Sequence, residues 1–305
     1  MRSRKIVNVR RSSGLPTRPL VAAILLAHGR MAVGEAPSST LSEVDRLWEA
    51  RAEGTTGKGA VKGPVEALIA ACRRGLAETP GSIELRWRLM KACYFKGEYV
   101  ARDVAKKREA FDEGKAAGEE ALPLIRKVAA VRSGRSLENA SPVELVPHLQ
   151  GDAAAIAAFY WASVDWGKWA LVFGKTAAVK KGAATKIRDY ASAVILLDPR
   201  FELGGGYRVL GRLHHQTPFV PFLTGWASRE EALKNLRLAV KTAPDDFINR
   251  LYLAEAMWDY ETARRDEARK MLEKLIAEAP SPGFPVEDQT TQEEARSLLA
   301  AWDKR

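Results

Sequence analysis

Three short stretches of the chain carry residue types that could do chemistry. Gly174-Lys175-Thr176 has the ending of a phosphate-binding loop, in which backbone N–H groups and a lysine cradle the phosphates of a nucleotide. That loop needs another glycine five residues earlier and a strand before it. Trp169 stands there instead, in a segment that reads as helix, so nucleotide binding is excluded. Gly204-Gly205-Gly206 suggests a dinucleotide loop, but it follows a helix ending near Pro199 rather than a strand. A tight turn with close backbone packing is the expectation there. His214-His215 could ligate a metal, yet adjacent side chains on a helix diverge by about 100°. No Glu or His lies three or four residues from either. His214 is expected in a packing position and His215 at the surface. Cys72 and Cys93 have no His or second Cys at ligand spacing. Each reads as a small core residue, with a disulfide between them open in an oxidising compartment. No Ser or Cys sits in a nucleophile elbow. No catalytic residue, metal or cofactor is therefore expected, and the chain reads as a binding protein rather than an enzyme.

Binding chemistry is better represented. Phe159, Tyr160, Trp161, Trp166, Trp169 and Phe173 crowd one helical stretch. At 100° per residue these rings cannot share one narrow seam. Some must lie on a second face, and they read either as ordinary inter-helix core or as rings lining an apolar pocket or channel. The ligand-binding candidates are Tyr160, Trp161, Trp166, Trp169 and Phe173. A Pro-containing insertion, "HQTPFVPFLTGW", presents Phe219, Val220, Phe222, Leu223 and Trp226. It either folds back over its own hairpin or docks a partner. Phe219, Phe222 and Trp226, with Tyr207 and Arg208 nearby, are the partner-binding candidates.

The elements that must position these residues read as helices throughout. Alanine and leucine dominate the apolar share, β-branched runs are scarce, and no alternating strand appears from residue 41 onward. The first expected helix begins at an N-cap on Ser42. The expected fold is all-α, a TPR-like superhelix of stacked helical hairpins. Tyr207, Leu210, Gly211 and His214 have the spacing of a first tetratricopeptide helix. Ala232, Leu236, Ala239 and Pro244 have that of a second. Small residues at 211 and 232 let backbones approach, and proline ends the helix because it cannot continue the hydrogen-bond ladder. Leu251, Ala254, Trp258, Ala268, Leu272, Leu275 and Pro280 repeat the pattern, and further terminating prolines stand at Pro80 and Pro199. The polar segment 132–152 is the candidate break inside a domain spanning 37–305.

The formal charge of +10 invites a nucleic-acid reading. Seven of the 48 basic and one of the 38 acidic side chains lie in residues 1–36, so the remainder carries 41 against 37. There the signs alternate along helices, as on a solvated surface, and no nucleic-acid partner is expected. Residues 1–36 combine a basic stretch, a short apolar run "PLVAAILLA" and small residues at Gly34 and Ala36, the organisation of a secretory signal. The run is too short to span a bilayer, so no transmembrane span is expected and the mature chain should be periplasmic or otherwise exported. A basic, acid-poor leader also fits a mitochondrial transit sequence.

Taken together, "FYWASVDWGKWALVFGK", "YASAVILLDPRFELGGGYRVLGRLHHQTP" and "REEALKNLRLAVKTAPDDFINRLYLAEAMW" resemble the TRAP-transporter T-component family, most clearly over residues 155–280. The resemblance implies an α-helical solenoid whose protein partner is the periplasmic solute-binding protein of a tripartite ATP-independent transporter. It also implies homo-oligomerisation around a hydrophobic channel, and an apolar or organic-acid small ligand. Members are often lipoproteins, whereas no lipobox cysteine follows the apolar run here. A generic TPR scaffold without a small ligand is the alternative. A tunnel lined by Tyr160, Trp161, Trp166 and Trp169 would favour the first reading, and a solid core there the second.

Overall fold

A computed structural model describes residues 34–55, 59–217 and 225–304. The expected leader, apart from residues 34–36, lies outside these residues, as do Phe219, Val220, Phe222 and Leu223. Among the described residues the fold is all-α, with thirteen α-helices and no strand. They are α1 (Ser38–Glu49), α2 (Lys62–Glu78), α3 (Ile83–Phe95), α4 (Val104–Ser133), α5 (Pro142–Leu145), α6 (Ala153–Phe173) and α7 (Lys175–Lys180). There follow α8 (Ala183–Leu197), α9 (Phe201–Gln216), α10 (Arg229–Thr242), α11 (Phe247–Tyr260), α12 (Arg265–Ala277) and α13 (Pro285–Trp302).

Local chemistry sets most of these boundaries. Side-chain oxygens of Ser82, Asp103, Asp152, Ser228 and Asp246 accept the backbone N–H three residues on, at 2.8–3.2 Å, and so cap α3, α4, α6, α10 and α11. Helices α2, α8, α10 and α12 stop just short of Pro80, Pro199, Pro244 and Pro280. A proline pushes the residue before it out of the helical region. Thr79, Asp198 and Ala243 accordingly have ψ of 73°, 99° and 87°. One expectation fails here. α1 begins at Ser38, after Pro37, and not at a cap on Ser42.

Each long helix packs on the next one in the chain. Helix α6 sits at the centre, touching α3, α4, α8 and α9. Its approach to α4 depends on small residues. A Cβ at Gly118 would lie 3.1 Å from the Ala162 Cβ, and one at Gly114 would strike the Asp165 carboxyl. The segment 132–152, where a break was expected, contributes Leu137, Leu145, Val146 and Leu149 to the same core as α3, α4, α6 and α8. A second apolar core joins α10 to α13, including stacked Trp258 and Trp302 with centroids 4.1 Å apart.

The two ends of the helix series meet. Arg51, just after α1, donates to Glu287 of α13 from Nε and Nη2 (2.9 and 2.8 Å) and to the Gly283 carbonyl (2.6 Å). The helices thus curl around a space bounded by α1, α3, α6, α9, α11 and α13.

Candidate functional site

That space is a cavity of about 760 Å³, within the range of small-ligand pockets. Its aromatic lining comes from elements far apart in sequence. Trp48 is on α1, Tyr94 and Phe95 on α3, Tyr160 and Trp161 on α6, Tyr252 on α11 and Phe284 just before α13. Tyr99 reaches the same space from a π-helical turn, Lys96–Val100, that extends α3. The turn lets Gly97 pass under the Phe111 ring, where a Cβ would collide, and such turns often occur at functional positions. The rings contact one another, Tyr94 with Trp161 at 5.6 Å and Tyr160 with Trp161 at 4.9 Å.

Gly167 also lines the cavity, from within α6, and a Cβ there would meet nothing within 4 Å. Glycine inside a helix costs about 1 kcal/mol relative to alanine. Packing does not require it here, whereas it does leave room in the lumen.

Charged side chains also line it, Lys91, Lys168, Lys175, Arg208 and Arg212 together with Glu202, Asp246, Glu287, Asp288 and Glu294, and most of them are paired. Lys168 binds Glu98 at 2.7 Å, and Arg212 binds Glu255 at 2.6 Å. Burial works against the Lys168 charge, but Glu98, with Tyr252 and Tyr94, outweighs it and holds the ammonium above the ordinary lysine value. Lys91 differs. Its ammonium lies 4.1 Å from the Trp48 ring centre and 5.5 Å from that of Trp161, with Glu202 no closer than 3.6 Å. Burial pushes its titration below the usual lysine value, and Glu202 offsets only part of this. A cation so placed is suited to an anionic group on a ligand whose body lies against the rings. Glu294 reaches water in the lumen while helices surround it, and burial pushes its carboxyl up.

A left-handed turn forms one wall. Glu202, Leu203 and Gly204 have φ of 45°, 59° and 79° in succession. For the two non-glycine residues this costs about 1–3 kcal/mol each. Buried Arg208 and Asn249 hold the turn. Arg208 donates to the Glu202 carbonyl (3.1 Å), to Asn249 Oδ1 (3.0 Å) and to the Tyr160 hydroxyl (2.7 Å), with Asp246 at 3.6 Å. Asn249 Nδ2 donates to the Leu203 carbonyl (2.9 Å). The expected tight turn at the three glycines is therefore present and begins two residues earlier. Gly205 and Gly206 are the close-approach positions: a Cβ at 205 would strike the Tyr160 ring, and one at 206 would sit 2.8 Å from Ile195 Cγ1.

The five ligand-binding candidates separate into two groups. Tyr160 and Trp161 line the cavity, whereas Trp166, Trp169 and Phe173 do not. Trp169 donates to Asp112 of α4 (2.8 Å) and stacks on Phe173 (4.7 Å), and Trp166 carries Lys186 over its ring at 4.1 Å. Among the partner-binding candidates, Arg208 is turned inward as described. Tyr207 lies half-buried beside Pro199 and Thr242, and Trp226 meets the His214 ring edge-on at 5.1 Å. His214 is buried as expected. His215 is not at the surface, because Asp259 takes its Nε2 (3.0 Å) and Tyr260 covers the ring. Cys72 and Cys93 are buried free thiols. No group of acidic, His and Cys side chains able to hold a metal occurs among the described residues, and no described helix is long and apolar enough to cross a membrane. No family model and no curated protein sequence matches this chain.

Proposed function

We propose that this chain is an exported, TPR-like helical-repeat protein that holds a small apolar or amphipathic acid. In this reading it works as a T-component-like accessory to the periplasmic solute-binding protein of a tripartite ATP-independent transporter. The observation that carries the reading is the aromatic-lined cavity of about 760 Å³ with Lys91 set between Trp48 and Trp161. The repeat reading is supported by the packing of α9 on α10. Ala232, Leu236 and Ala239 are fully buried there, and a Cβ on Gly211 would lie 2.7 Å from Leu236 Cγ. Such hairpins bury little alone and gain stability by stacking.

A scaffold without a small ligand is the second reading. It draws on Trp166, Trp169 and Phe173, which pack outside the lumen. Affinity capture with the tagged protein from envelope extract separates the two. Recovery of a solute-binding protein together with a small organic acid is the expected result. Recovery of unrelated envelope proteins and no small molecule would leave the scaffold.

A further inference from the structure

We propose that α7 and the end of α6 dock the mouth of the cavity on an anionic lipid surface. The proposal rests on reading the cavity as a site for an apolar or amphipathic ligand. Leu171 and Val179, 64% and 55% exposed, line the cavity at its rim. Large apolar side chains left this exposed are few among the described residues, and water disfavours them. Helix α7 buries none of its residues. Gly174 and Gly182, with φ of 89° and 64°, turn the chain out of α6 and back into α8.

The segment that carries these apolar tips has charge of one sign. Between Asp165 and Asp189 the chain has five lysines, Arg188 and no acid. Lys168 is paired with Glu98 and Lys186 with Glu119. Lys175, Lys180 and Lys181 have no ion pair or hydrogen bond among the described residues. Unpaired lysines on flexible stems beside small aliphatic tips suit a fluid anionic surface, each gaining about 1 kcal/mol near it. A protein interface would be expected to present Trp, Tyr or Arg anchors and to be poor in lysine. Helix α7 has none of those anchors. Docked in this way, the cavity would open beside the acyl region, and an apolar ligand could enter without crossing water.

The test uses the full chain with Val179→Cys, labelled with an environment-sensitive fluorophore; the native thiols are fully buried. Val131→Cys on α4, a position 83% exposed and outside the cavity lining, is the control. Vesicles of phosphatidylcholine with phosphatidylglycerol should brighten the probe at 179 and leave the one at 131 unchanged. Vesicles of phosphatidylcholine alone should change neither. Adding Lys175→Gln, Lys180→Gln and Lys181→Gln should raise the lipid concentration at the midpoint about a hundredfold. A silent probe at 179, equal brightening at 131, or an unchanged midpoint in the lysine variant would overturn the proposal. Brightening at 179 with lipid-free envelope protein but not with vesicles would overturn it too and assign the face to a protein. Uptake of a fatty-acid probe by the cavity is measured without vesicles, so failure of docking and failure of the cavity reading are read separately.

Discussion

Replacing Arg208 by methionine should destabilise the protein and loosen the cavity wall together. The guanidinium makes hydrogen bonds of 2.7, 3.0 and 3.1 Å to Tyr160, Asn249 and the Glu202 carbonyl, and Asp246 faces it at 3.6 Å. Methionine keeps much of the volume but leaves those acceptors and the Asp246 carboxylate without their cation. Removing one partner of a buried charge network costs about 3–5 kcal/mol. The left-handed residues Glu202 and Leu203 also lose a support, which adds to the loss. For a chain of this size that corresponds to a fall of the thermal midpoint on the order of 10 °C. Thermal unfolding followed by circular dichroism measures it. Asp246→Asn in the same background should recover part of the loss, since the orphaned carboxylate is then gone. A loss under about 1 kcal/mol, or no coupling between the two substitutions, would refute the claim that Arg208 holds this wall.

Asp165 is fully buried with no protein hydrogen-bond partner on either oxygen, and burial pushes its carboxyl well above the usual range. The stability tied to this group is complete below about pH 4 and is lost as pH rises toward the folded value. Asp165→Asn should therefore match wild type in melts near pH 4 and exceed it at pH 7; a pH-independent difference would contradict this. Gly205→Ala should cost about 1–3 kcal/mol by pushing on the Tyr160 ring, read by urea unfolding, and a neutral effect would show that the ring can move freely. Burial lifts the Cys72 thiol to about 12 and raises Cys93 as well. Neither should react with a thiol reagent at pH 8 in the folded protein, and both should react in denaturant.

Much of the fold is legible in the sequence because its determinants are local. The prolines at 80, 199, 244 and 280 end helices through a clash with their immediate neighbours. Asp152, Ser228 and Asp246 start helices through bonds three residues long. The site is less legible because its determinants are distant. Glu202 and Leu203 adopt a conformation that their own types disfavour, held by Asn249 on α11 and by Arg208. Lys91 is one lysine among many until Trp48 and Trp161 are seen on either side of it. The aromatic stretch of α6 announced that rings would occupy more than one face. Which rings faced the lumen depended on α4, whose Asp112 and Lys115 meet Trp166 and Trp169 and whose Arg108 meets Phe173 on the other side. Gly167 offered one signal, a glycine inside an otherwise strong helix.

The central claim, that the lumen holds an amphipathic acid, is tested most directly by titrating the protein with a dansylated medium-chain fatty acid. Saturable binding at one site should quench Trp48 and Trp161, which line the cavity. Lys91→Met should weaken binding roughly ten- to a hundredfold, the worth of one charge-assisted contact. Gly167→Phe, which directs a ring into open space, should abolish it while leaving the helix content intact. Equal binding by the wild type and both variants, or no saturable binding by the wild type, would contradict the account.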